Sequence, residues 1–162
     1  MNARAQMLIE LPEEKDTVEL GRRLGELLRA GDLVLLSGPL GAGKTVLVRG
    51  VAAGLGVAGQ VHSPTFVIAR VHRPGPQGRG VPLVHVDAYR LSGLDELDDL
   101  DLDTDLLDAA VVVEWGEGVA ERLSEDDHLL IRLERREDDT RSAVLEPYGA
   151  DWAERARRLV GS

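Results

Sequence analysis

The run DLVLLSGPLGAGKTVLVRG, Asp32 to Gly50, constrains the fold of this chain more than any other stretch. Its first half is an unbroken apolar run, the pattern of a strand covered on both faces in a parallel sheet. After the lysine, Val48, Val51, Ala52 and Leu55 restart apolar spacing at the helical period. Between the two, Gly38-Pro39-Leu40-Gly41-Ala42-Gly43-Lys44-Thr45 satisfies G-x-x-x-x-G-K-[ST]. Strand, glycine-rich loop and helix in that order form the phosphate-binding unit. A glycine turn ahead of an ordinary Lys-Thr helix start is the plain alternative, and the two flanking elements weigh against it.

The loop's chemistry follows from its residues. With Gly38 at its start and Gly41, Ala42, Gly43, Lys44, Thr45 and Val46 leading into the helix, backbone N–H groups converge on phosphate oxygens at the positive end of a helix. Pro39 has no N–H and shapes the cradle without donating to it. Lys44 reaches the β- and γ-phosphates as a point charge, and the Thr45 hydroxyl is one oxygen ligand for Mg²⁺.

Composition narrows the partners. The 162 residues carry 19 Lys and Arg against 29 Asp and Glu, a formal net charge of -10, which repels a nucleic-acid backbone. Direct non-specific nucleic-acid binding is therefore not expected. Aromatic residues are 3% of the chain, too few for a stacking platform. The absence of cysteine removes disulfides and thiolate metal sites and fits a reducing compartment, with the cytoplasm the simplest assignment. No signal-like segment or stretch of about 20 apolar residues suggests export or a membrane span. One domain over residues 1–162 is the expectation at this length.

The rest of the chain supplies a sheet. Met7 to Leu11 reads as a strand, and PEEKDTVELGRRLGELLRAG as a helix stopping at Gly31. TFVIARVH and LVHVDAYR read as an antiparallel pair joined by the hairpin loop RPGPQGRGVP. The acidic LDELDDLDLDTDLLD, with eight carboxylates and no base, reads as a solvated helix or loop. AAVVVEW is a second fully apolar strand, GEGVAERL a short helix, HLLIRLERR and TRSAVLEPY two strands, and DWAERARRLV a closing helix. This order predicts a three-layer α/β fold with a mixed, mostly parallel central sheet.

A metal beside the phosphates needs an acid at the end of a neighbouring buried strand. Glu114 ends AAVVVEW and Asp87 ends LVHVDAYR, and each is either that acid or a carboxylate that meets solvent where a strand stops. His85 reads as a packed strand histidine rather than a ligand. Tyr89 and Arg90 either cap a strand or meet nucleotide or partner.

Four segments in order, GPLGAGKT, HSPTF at 62–66, HVDAYRL at 85–91 and VEWGE at 113–117, resemble the bacterial TsaE family of small ATPases required for tRNA threonylcarbamoyladenosine modification. The resemblance runs from about Leu11 to at least Glu134. It implies a P-loop NTPase fold, binding of ATP and Mg²⁺, and slow ATP hydrolysis. It also implies work with the TsaB–TsaD heterodimer, which transfers threonylcarbamoyl to adenosine 37 of tRNAs reading codons that begin with A. By resemblance, Lys44 and Thr45 serve the nucleotide, Glu114 the metal, and Asp87 is the essential acid of the D-x-YR segment. Ser63, Pro64 and Thr65 match a switch-like element near the γ-phosphate, or form a turn before a strand. Trp115 lies near nucleotide or partner, or in the core. Glu14 and Thr17, in LPEEKDT, match the segment that approaches the base. Where many relatives have an acid after the first loop glycine, this chain has Pro39. The basic RPGPQGRG loop is either a surface loop or a partner contact.

No nucleophile–base set suggests covalent chemistry, so the expected reaction is phosphoryl transfer to water, run by positioning and charge. Contact with tRNA is then expected only indirectly, through the partners. Two rivals stand beside this reading: a small-molecule or nucleotide kinase on the same scaffold, and a nucleotide-gated binding module without useful turnover.

Overall fold

In the computed structural model the described residues are 6–38, 43–57, 69–76, 78, 80–87, 109–114, 127–138 and 140–160. In chain order they form β1 (Met7–Leu11), α1 (Glu14–Leu27), β2 (Leu33–Ser37), α2 (Lys44–Leu55), β3 (Ala69–His72), β4 (Leu83–Asp87), β5 (Ala110–Glu114), β6 (His128–Arg135), β7 (Arg141–Tyr148) and α3 (Ala150–Val160). All the strands join one sheet in the order β1-β7-β6-β2-β5-β4-β3. The middle strands β6, β2, β5 and β4 are parallel, and the pairs β6–β7, β7–β1 and β4–β3 are antiparallel. The sheet is thus mixed, with β7 and β3 alone running against the others, and β3 and β4 form the antiparallel pair expected from their sequences.

Alternation along the central strands covers both faces. Val34, Leu36, Val112, Leu129 and Ile131 pack in one cluster with Leu20 and Leu24 of α1, Leu47, Val48, Val51 and Leu55 of α2, and Trp152 of α3. Leu35, Val84, Val86, Val111, Val113 and Leu130 are buried as well but belong to the other side of the pleat. The unbroken apolar reading of β2 and β5 is therefore met, and the α/β class with it. The acidic segment at 94–108 and GEGVAERL lie outside the described residues.

Helix α1 begins at an Asp16 carboxylate that accepts the Glu13 N–H at 2.9 Å. It ends at Leu27, short of Gly31. The cause is Leu28, which turns to an extended conformation, φ -72° and ψ 145°, and buries its side chain completely.

Four glycines then set the spacing of α1 and α2. A Cβ on Gly21 or Gly25 would collide with the carbonyl oxygens of Leu47 or Val51, and one on Gly50 or Gly54 with those of Val18 or Arg22. The two helices run in the same direction with their backbones in contact, so their N-terminal ends lie side by side.

The loop after β3 is held to α2. Gly75 N–H donates to the Gly56 carbonyl at 2.8 Å, and Val57 bridges Pro74. This part of RPGPQGRGVP is a packed closure over the helix end rather than a bare hairpin turn. Among the described residues no helix is long and apolar enough to cross a membrane.

Candidate functional site

Strand β2 ends at Ser37 in the middle of the parallel strands, and the chain leaves it through Gly38. Gly38 has φ +148°, and a Cβ there would collide with the Leu133 carbonyl oxygen of β6. Only glycine fits. Residues 39–42, which include Pro39, Gly41 and Ala42, lie outside the described residues. The chain re-enters at Gly43, whose φ of +104° again suits glycine, and α2 starts at Lys44.

Lys44 is buried, and its ammonium donates to the Gly38 carbonyl at 2.6 Å. The two ends of the loop are thereby tied by the side chain that would meet phosphate. Leu47 N–H makes the first helical bond, to Gly43 O at 2.9 Å. That bond follows the first turn, where the N–H groups of an α-helix point beyond its own ladder. No acidic residue occupies that turn to neutralise its positive end.

Glu114 closes β5 one strand away, in register with Leu36 on β2 and with Asp87 on β4. Both acids singled out in the sequence thus stand at strand ends beside the loop, in the crevice at the carboxyl edge where such sheets bind ligands. The Glu114 side chain is 95% buried and forms a hydrogen bond with His85 Nε2. The side chain of Asp87 is not among those described.

From the other side comes Thr17. The close α1–α2 contact brings it against the loop's return, its Cγ2 3.7 Å from where a Gly43 Cβ would stand. Its hydroxyl is buried and makes no hydrogen bond. Arg141, the first residue of β7, comes equally near, its Cδ 3.5 Å from the same point. Glu14, a turn earlier on α1, is exposed. Ser63, Pro64, Thr65, Tyr89, Arg90 and Trp115 lie outside the described residues.

The arrangement has the components of a nucleotide site. Magnesium takes oxygen ligands and keeps waters and phosphate oxygens for most of its sphere, so it needs few protein atoms. Thr45 in the first turn of α2 and the Glu114 carboxylate, with one oxygen engaged by His85, fit that requirement. The orphaned Thr17 hydroxyl, in turn, suits a polar group of the nucleotide.

Sequence reasoning passed over Arg141 and read His85 as a packed strand histidine. Arg141 opens an ordinary strand, and only the placement of β7 beside β6 carries it to the loop. His85 lies two residues before Asp87 on β4, and its reach to Glu114 depends on the β4–β5 register.

Comparison with known proteins shows which family the chain belongs to. The family described as threonylcarbamoyl adenosine biosynthesis protein TsaE matches the chain over residues 11–143. A protein of Streptomyces coelicolor called tRNA threonylcarbamoyladenosine biosynthesis protein TsaE is 61% identical over 140 residues, which is 83% of this chain and 93% of that protein. Its Mycobacterium bovis namesake is 61% identical over 83% of each chain, and that of Treponema pallidum is 41% identical over 68% of this chain and 79% of the other. The crystal structure of Bacillus subtilis YdiB superposes with a TM-score of 0.76 at 28% identity, covering 96% of this chain and 95% of that one.

Proposed function

Since the chain belongs to the TsaE family, we propose that it is an ATPase serving threonylcarbamoyladenosine formation on tRNA. The reading is supported first by one juxtaposition: a strand-loop-helix with Lys44 tied back to Gly38, and a buried carboxylate, Glu114, ending the adjacent parallel strand. The names of its relatives support the biosynthetic role.

In this proposal ATP lays its phosphates along the loop and the first turn of α2. Lys44 exchanges the Gly38 carbonyl for phosphate oxygens. Thr45 and Glu114 face Mg²⁺, which when bound neutralises charge on the phosphates. Thr17 hydrogen-bonds the nucleotide through its unpartnered hydroxyl, with Arg141 and Glu14 beside it. Asp87, at the strand end next to Glu114, positions the attacking water. The γ-phosphoryl group passes to that water, giving ADP and phosphate, with turnover slow because nothing here activates a strong nucleophile.

Ser63, Pro64 and Thr65 are proposed as the segment that reads γ-phosphate, and Tyr89, Arg90 and Trp115 as the surface that passes the state to TsaB–TsaD in the cytoplasm. An acidic chain suits that role, because the partners, and not this protein, hold the tRNA.

Phosphate release tests the reaction. Lys44→Ala is expected to lower kcat/KM for ATP by about 100-fold or more, the scale of losing one charge on the transition state. Glu114→Gln is expected to lower turnover while nucleotide still binds without metal. Unchanged hydrolysis in Lys44→Ala, or phosphate transferred to an added nucleoside in place of water, contradicts the proposal.

A further inference from the structure

We infer that His85 is a positioning residue for the metal-side carboxylate, fixing Glu114 in the orientation its task requires. The inference rests on the reading of Glu114 as the acid that faces Mg²⁺. The geometry behind it is independent of that reading. On the parallel pair β4–β5, His85 is in register with Val112, and Asp87 with Glu114. Leu83, Ala110 and Val112, which share the pleat side of His85 and Glu114, all belong to the core under α1 and α2. His85 is completely buried there, one diagonal step from Glu114, and its Nε2 meets Glu114 Oε2.

The chemistry of the pair decides its direction. An ionised carboxylate only accepts hydrogen bonds, so Nε2 carries the hydrogen and donates. His85 Nδ1 is buried without a hydrogen-bond partner, so Nε2 is the ring nitrogen through which His85 meets a polar group. A ring serving only as packing has no need of the nitrogen, since Val or Leu fills such a strand position without an orphaned polar atom. Here the ring stands where the nitrogen meets the carboxylate and holds one of its oxygens. No other hydrogen-bond partner for that carboxylate is found among the described residues. Without His85 the carboxylate is free to rotate and loses a donor that offsets its burial.

The test uses the full chain and a readout that needs no turnover, the affinity of a fluorescent ADP analogue as a function of free Mg²⁺. His85→Leu is expected to raise the Mg²⁺ concentration at half-effect by about 10–100-fold, the range for losing an outer-shell partner, with metal-free affinity unchanged. His85→Gln keeps a donor nitrogen at the position of Nε2 and is expected to stay close to the unmodified chain. Glu114→Gln runs alongside. If it raises the midpoint while His85→Leu does not, the inference fails and the Glu114 reading survives; if neither moves it, the Glu114 reading fails and takes the inference with it. Should His85→Leu not fold, the nitrogen-15 imidazole spectrum of the unmodified protein decides. An Nε2–H ring with bare Nδ1 supports the inference, and an Nδ1–H ring overturns it.

Discussion

Arg155 carries more of the fold than its place in the ordinary-looking ERARRLV suggests. Its guanidinium grips Asp32 through two bonds, at 2.6 and 2.9 Å, and also donates to the Leu27 carbonyl at 3.1 Å and to Asp151 at 2.7 Å, while lying 3.7 Å over the Trp152 ring. Asp32 in turn accepts the Arg29 N–H at 2.6 Å. One side chain thus joins the end of α1, the entry to β2 and α3. Truncation leaves the buried Asp32 charge uncompensated, so Arg155→Ala is expected to cost about 3–5 kcal/mol in urea unfolding. A loss below about 1 kcal/mol, the level of a surface pair, contradicts this account. At this scale legibility was uneven. Gly38, Gly43 and Lys44 declare themselves because a contiguous loop needs their types at fixed spacing. Arg155, Arg141 and His85 do not, because each acts on a residue brought near only by strand order or helix docking.

The α1–α2 pair shows what an element's pattern hides. Leucine spacing revealed α1, yet the partner and the closeness of approach are written in Gly21, Gly25, Gly50 and Gly54. Helix propensity alone says that Gly50→Ala gains about 1 kcal/mol. The new methyl would collide with the Val18 carbonyl, a rigid backbone atom, and overpacking of this kind costs about 1–3 kcal/mol or more. The collision wins, so Gly50→Ala is expected to lower Tm by several degrees and, by moving Thr17 away from Gly43, to weaken nucleotide binding. A raised Tm contradicts it.

Helix α3 docks through charge as well as through Trp152. Burial opposes ionisation of Asp151, but Arg155 and then Arg29 outweigh it and hold its carboxyl below the usual carboxylate range. A lowered folded value means stability present above the ordinary pKa of about 3.9 and lost as pH falls through the lower one. The deficit of Asp151→Asn relative to the unmodified protein is therefore expected to be full near neutrality and to shrink in acid below about pH 4. A deficit independent of pH contradicts the assignment.

For the molecule as a whole, the sheet was the most legible part. Two unbroken apolar strands, β2 and β5, called for cover on both faces, and the four parallel strands at the centre follow from that. What the pattern did not contain was strand order. The return of β6 and β7 past β2, which sets Leu133 against Gly38 and Arg141 against Gly43, depends on pairings between segments far apart in the chain. That order converts a loop motif into a site with walls: α1 on one side, the β6–β7 hairpin on another, and the acid-bearing ends of β4 and β5 on a third. The chain's formal net charge of -10 repels an RNA backbone, which suits the proposed role of signalling nucleotide state to partners.

The most direct test of that claim is capture of the purified chain by the TsaB–TsaD pair, measured with ATP and Mg²⁺, with ADP, and without nucleotide. Capture of the unmodified chain that depends on nucleotide state, and is lost in Lys44→Ala, is the predicted result. Equal capture under all three conditions, or by Lys44→Ala as readily as by the unmodified chain, would contradict it.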